Sequence, residues 1–232
     1  MLKQSASCLV LVVISIVGVV SAQAQSDDKK FEVGGQFSVL RVPTRTITVS
    51  TGGVGITAGA VNDGRNTNYG FGGRFGYRLS QYFTLEGEGN FFPGDGVLDG
   101  GKKTQGFFGV KAGKRFQSVG LFAKARPGFV HYSRGDYQFT GPCVSISPPP
   151  IGCYQPVGQT NFATDLGGVF EFYPTKRTII RFDAGDTLVR LPARNTAVFQ
   201  TNPTSVFSLV VLPAAAETKS HFQASVGFGF RF

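Results

Sequence analysis

The chain has 232 residues, enough for one domain, and carries a net charge of +9 with 41% hydrophobic and 16% charged residues. Beyond the N-terminal 25 residues no run of eighteen uncharged apolar residues occurs, which excludes a helical membrane span and leaves a closed barrel as the only way to cross a bilayer. The basic balance raises nucleic-acid binding, but the export signal at the N-terminus argues against it.

Residues 1–24 read as a cleaved signal peptide. Lys3 supplies the positive start, residues 9–20 form an uncharged apolar core, and Ala22-Gln23-Ala24 is a small-residue cleavage site. A transmembrane helix is the alternative, but the stretch is short and runs into Asp27 and Asp28. Cys8 precedes the apolar core, so a lipoprotein signal is not expected. Residues 25–232 are then the mature domain.

Eight segments of that domain alternate with period two, the signature of strands with two unlike faces. Residues 31–42 set Val33, Phe37 and Val39 against Glu32, Gln36 and Ser38. Residues 68–79 set Tyr69, Phe71, Phe75, Tyr77 and Leu79 against Arg74 and Arg78. In 82–92, Phe83, Leu85 and Phe91 oppose Glu86, Glu88 and Asn90, and in 104–116, Phe108, Val110, Ala112 and Phe116 oppose Lys111 and Arg115. Residues 119–133 set Leu121, Ala123, Ala125 and Phe129 against Lys124 and Arg126. In 160–173, Phe162, Leu166, Phe170 and Phe172 oppose Asp165 and Glu171. In 178–189, Ile180, Phe182 and Leu188 oppose Arg181 and Asp183. The last segment, 219–232, ends with Val226, Phe228, Phe230 and Phe232 alternating with Gly227, Gly229 and Arg231.

The connectors run long, short, long, short, long, short, long, so both ends of the domain lie on the side of the short turns. A soluble lipocalin-like barrel has similar strands but turns its apolar face inward, whereas here the inward candidates carry the charges. Residues 46–50 with 54–58, and 206–212 with a neighbour, can form hairpins and are read as strand extensions above the membrane. Mean hydropathy of +0.03, 32 glycines and a Phe-dominated aromatic share of 13% fit strands whose two faces cancel.

The final segment resembles the C-terminal strand of bacterial outer-membrane barrels, in which a terminal aromatic, here Phe232, is read by the insertion machinery. The whole mature chain resembles the small outer-membrane β-barrel superfamily, akin to the transmembrane domain of the outer membrane protein A group and its porin-like relatives. The resemblance implies an all-β fold, an eight-stranded antiparallel up-and-down transmembrane barrel with short periplasmic turns and long extracellular loops, in the outer membrane of a Gram-negative cell. It implies outer-membrane lipids and lipopolysaccharide as partners, with insertion machinery and periplasmic chaperones during biogenesis, and a monomer. A basic rim would face lipopolysaccharide phosphates. No wall-binding domain is expected to follow the barrel.

Inside such a barrel Glu86, Glu88, Asp165, Glu171 and Asp183 would share a narrow lumen with Arg74, Arg78, Lys111, Lys124, Arg126 and Arg181. An isolated ion there is costly, so a plug of ion pairs is expected, with a narrow anion-preferring pathway as the alternative. Gly70, Gly72 and Gly76 would leave room for the long charged side chains beside them.

Cys143 and Cys153 flank Pro148-Pro149-Pro150 and, in an exported protein, are expected to form a disulfide. No cofactor or metal site is expected: Asp95 and Asp99 lie among glycines without further spaced oxygen donors, and Gly53-Val54-Gly55 precedes no helix. His131 and Ser133 resemble the His-x-Ser element of lipid A deacylase barrels, with serine as nucleophile and histidine as base, but nearby groups to orient the histidine are few. Arg134-Gly135-Asp136 matches a cell-adhesion tripeptide and reads as an ordinary charged turn, while 206–212 offers an apolar loop contact. The expected function is structural and surface-contacting, without catalysis. A narrow channel is the alternative, and a lipid A esterase follows it.

Overall fold

Alternation with period two makes each strand unable to bury its apolar face alone, and closing the sheet on itself gives every edge a partner. The computed structural model describes residues 29–51, 56–140, 153–201 and 208–232; of 45–51, 56–63, 198–201 and 208–210 it describes the backbone alone. Eight strands form the wall: β1 (Phe31–Thr51), β2 (Ile56–Arg78), β3 (Phe83–Phe92), β4 (Lys103–Arg115), β5 (Val119–Phe139), β6 (Tyr154–Phe172), β7 (Thr178–Leu191) and, after a two-stranded insertion, β10 (Glu217–Arg231). Each runs antiparallel to its neighbours, and β10 pairs with both β7 and β1, so the ring is closed. At the seam Glu32 lies opposite Arg231, and Phe31 and Phe232 exchange two backbone hydrogen bonds at 3.0 Å.

The two faces are inverted relative to a soluble barrel. Phe37, Phe71, Phe108, Leu121, Phe162, Phe182 and Phe228 stand exposed on the outside, while Glu86, Lys111, Arg126, Asp165, Glu171 and Arg181 are buried inside. The expected assignment of faces holds on every wall strand. Phe31, Phe75, Tyr77 and Phe232 stack together outside the seam at the end where the two termini meet. Three phenylalanines depart from the pattern: Phe92, Phe107 and Phe122 point into the barrel, as do Tyr132 and Tyr173.

Strand lengths are unequal. The β1–β2 ladder continues to Thr51 and Ile56, which are extensions of the kind expected for 46–50 and 54–58. The connector expected at 134–158 is partly strand, because β5 runs on to Phe139 and β6 begins at Tyr154, with a register shift between Tyr132 and Asp136. The 190–218 connector corrects the expectation of simple extensions. It holds a separate hairpin, β8 (Arg194–Thr201) and β9 (Ser208–Ala214), in which β8 adds in parallel to the tip of β1 at residues 46–48. Ala197 and Val211 bury against Tyr137 of β5, and Asp136 accepts the Asn195 N–H at 2.8 Å, so the hairpin is anchored across the mouth and does not prolong β7 and β10. The signal peptide expected at 1–24, Gly53-Val54-Gly55, Cys143 and the start of 206–212 lie outside the described residues. Of the expected Cys143–Cys153 disulfide, the Cys153 end is described and is buried.

Candidate functional site

Inward parity delivers charged side chains from all eight wall strands, and a charge buried there is costly unless it is paired. Nearest the termini, Glu32 of β1 meets Arg115 of β4 at 2.6 Å, Lys111 of β4 at 3.3 Å and Arg231 of β10 at 3.4 Å. Lys111 also bonds Glu171 of β6. Tyr173 donates to Glu171 at 2.7 Å and accepts from Arg115 Nε at 2.9 Å. Phe122 and Tyr173 lie under the cations of this layer, with Lys111 4.7 Å from the Phe122 ring and Arg231 4.5 Å from the Tyr173 ring. The inward aromatics therefore act as cation faces as well as filler.

One layer further in, Arg181 of β7 reaches Glu86 of β3, Nη2 to Oε2 at 3.0 Å, and Asp183 at 2.7 Å. Arg126 of β5 holds Glu86 at 3.1 Å and Glu88 at 2.6 Å on one side and Asp165 of β6, through Nε at 3.0 Å, on the other. Lys124 bonds Asp165 at 2.8 Å and also Asp183. Arg181 lies 3.8 Å from Glu171, which joins the two layers. The result is one connected cluster of six cations, Lys111, Arg115, Lys124, Arg126, Arg181 and Arg231, and six carboxylates, Glu32, Glu86, Glu88, Asp165, Glu171 and Asp183.

Nine of the eleven lumen residues expected from sequence enter this cluster. Arg74 does not. Arg74 is in the lumen but, among the described residues, bonds the Gln36 amide at 3.4 Å and no carboxylate, because Glu88 opposite it is drawn to Arg126 and to Asn90. Arg78 lies half-buried at the terminal end of β2. Glu32, Arg115 and Arg231 were missing from the expected cluster although their parity is inward. The expectation about glycines also changes. A side chain at Gly72 would strike Asn90, one at Gly70 would strike the Phe92 ring, and the glycine that makes room for the Arg74 guanidinium is Gly227 on β10.

Towards the loops the lumen changes character. Leu40, Val42 and Phe92 form one buried apolar group, and Phe107, Val130, Tyr132, Ala163, Val189 and Leu191 another. Ion pairs below and apolar packing above both fill the axis of the barrel.

The remaining motifs are used within the fold. His131 Nδ1 bonds Thr160 Oγ1 at 2.9 Å, whereas Ser133 Oγ accepts the Lys102 N–H at 2.8 Å. Arg134-Gly135-Asp136 lies within β5, not on a free loop: Arg134 pairs with Asp95 at 3.0 Å, and Asp136 accepts the Tyr137 and Asn195 N–H groups. Asp99 pairs with Lys103 at 3.3 Å and accepts from Asn68 at 2.9 Å.

No protein-family model matches the chain, and no curated protein matches it. Among solved structures, Neisserial surface protein A (NspA) is similar at 11% identity over 87% of this chain and 97% of its own, with a TM-score of 0.48. The outer membrane protein OprG from Pseudomonas aeruginosa is similar at 11% identity over 88% and 96%, TM-score 0.44. The attachment invasion locus protein Ail of Yersinia pestis is similar at 14% identity over 88% and 99%, TM-score 0.41.

Proposed function

We propose that the protein is an integral outer-membrane β-barrel with a structural and surface-contacting role, its lumen closed by ion pairs. The observation that carries this reading is the inversion of the wall, phenylalanines out and charges in. On β10 the outward row runs from Phe222 to Phe232. Ten residues at about 3.4 Å each, tilted by about 40°, span about 26 Å of height, which matches the apolar band of an outer-membrane barrel. Carbonate-washed outer membranes should retain the protein, and on gels the unheated sample should migrate differently from the boiled one. Recovery in the periplasmic soluble fraction would overturn the reading.

Lipopolysaccharide is the proposed partner at the loop end. Arg41, Arg65, Lys102 and Arg190 are exposed there and share the outward parity of the apolar belt below them. Cations at that height suit the phosphates of an anionic leaflet. Export by the signal peptide, recognition of Val226, Phe228, Phe230 and Phe232 by the insertion machinery, and a monomeric state belong to the same proposal.

The ion-pair cluster favours a closed lumen over the narrow-channel alternative, since an ion entering it must displace buried partners. No catalysis is proposed. His131 and Ser133 are each bonded to other groups, and a Ser133→Ala variant should leave the acylation of lipid A unchanged.

A further inference from the structure

At the end of the barrel where the termini meet, the residues before β1 and the turn before β7 bring Lys29, Lys30, Lys176 and Arg177 together. Lys29 Nζ donates to the Lys176 carbonyl at 3.0 Å, which ties the two segments across the end of β10. The Lys30 and Arg177 carbonyls accept the Arg78 and Arg231 N–H groups at 2.8 and 2.7 Å. The Thr175 hydroxyl accepts the Arg177 and Thr178 N–H groups, so the backbone under these charges is fixed. Lys30, Lys176 and Arg177 are exposed, and none meets a carboxylate side chain among the described residues. Glu32 and Glu171, the acids at that end, are buried and held by Arg115 and Lys111. Asp27 and Asp28 lie outside the described residues.

The outer wall above these cations is hollowed on the same strands. Gly35 of β1 shares the outward parity of Phe37 but has no side chain, and a Cβ there would meet nothing nearer than the Gly72 carbonyl oxygen at 3.8 Å. Phe37 of β1, Val226 and Phe228 of β10 and Ile180 of β7 surround it, leaving a shallow apolar depression of about 540 Å³. Phe37, Val226 and Phe228 are each exposed, so this surface is open to a ligand. Phe228 stands four residues from Phe232, about 10 Å in height at about 3.4 Å per residue and a tilt of about 40°. The acyl chains of one leaflet fill about 12–15 Å, so the depression lies within their length of the charged end. Exposed cations at the headgroup level and an apolar hollow one chain-length away complement a single molecule, an anion that carries acyl chains. An ethanolamine headgroup would bring an ammonium that these cations repel, whereas a glycerol headgroup leaves the phosphate charge alone.

We propose that β1, β10 and β7 form a binding site for an anionic glycerophospholipid of the periplasmic leaflet, its phosphate at Lys30, Lys176 and Arg177 and an acyl chain in the hollow beside Gly35. This rests on the outer-membrane reading above and adds a lipid contact at the end opposite the lipopolysaccharide rim. The test uses the full mature chain, folded in detergent and titrated by native mass spectrometry with phosphatidylglycerol and with phosphatidylethanolamine of the same acyl chains. Phosphatidylglycerol is expected to bind at least about tenfold more tightly. Combined Lys30→Gln, Lys176→Gln and Arg177→Gln should bring it down to the level of phosphatidylethanolamine. Gly35→Leu, which fills the depression, should weaken both lipids by at least about threefold. In each variant the heat-dependent gel shift should persist, and the comparison of the two lipids on the unaltered protein stands without either. Equal affinity for the two lipids, an undiminished preference in the folded triple variant, or undiminished binding by folded Gly35→Leu would overturn the proposal. Protein retained in outer membranes but without the lipid preference defeats this site alone and leaves the barrel reading standing.

Discussion

Arg181 on β7 and Glu86 on β3 join charges across the full width of the barrel, Nη2 to Oε2 at 3.0 Å, although their strands stand four places apart in a ring of eight. Removing one partner leaves the other buried and uncompensated. Glu86→Ala, which also strips a partner from Arg126, is therefore expected to cost about 3–5 kcal/mol. Urea titration followed by the heat-dependent gel shift measures it, and a midpoint equal to wild type would contradict the assigned role.

The same pairs should block current. Wild-type protein in planar bilayers is expected to show no stable unit conductance. Combined Lys111→Ala, Arg126→Ala and Arg181→Ala should introduce steps, because three large side chains leave the axis together with the order of their partners. Stable unit steps from the unaltered protein would refute the plug.

The outer face has its own test. Phe108 is 62% exposed and sits midway along the outward row of β4 between Lys102 and Lys114. Phe108→Arg should destabilise the protein by about 2–4 kcal/mol in lipid, the cost of a cation near the bilayer midplane. Lys102→Ala at the rim should change stability little.

Asp136 ties the inserted hairpin to β5 by accepting two backbone N–H groups, from Tyr137 and Asn195, both at 2.8 Å. Asp136→Ala should weaken that anchorage by about 1–3 kcal/mol. Limited proteolysis should then cut within 192–216 faster, with the gel shift of the barrel unchanged.

The disulfide proposed between Cys143 and Cys153 predicts a mass 2 Da lower in freshly purified protein than after reduction, since closing the bond removes two hydrogens. Two thiols open to alkylation without reductant would exclude it.

Parity made most of this legible beforehand. Once Arg126 and Asp165 fell on the face opposite Phe129 and Phe162, their place in the lumen followed from the alternation of side chains alone. Which cation meets which carboxylate did not follow, because a pair such as Arg181 and Glu86 depends on strand positions around the ring, which no local pattern encodes. Arg74 shows the same limit: the register sets it beside Glu88, yet competition from Arg126 leaves it with Gln36. The adjacent rings Phe91-Phe92 and Phe107-Phe108 were a readable signal, since neighbours in a strand cannot both face lipid. The β8–β9 hairpin was not readable, because its contacts to Asp136, to Tyr137 and to the tip of β1 are all distant in sequence.

The cross-strand pairing of six acids with six bases also constrains how the wall can be built. The consecutive strands β5 and β6 pair directly through Lys124, Arg126 and Asp165, but β3 brings Glu86 and Glu88 whose partners arrive on β5 and β7, and β4 brings Lys111 and Arg115 whose acids sit on β1 and β6. A hairpin of β3 and β4 entering hydrocarbon alone would carry its ions without the partners they have in the closed ring, at several kcal/mol apiece. Insertion of that hairpin ahead of the rest is thereby penalised, and its charges are cancelled only as the ring closes.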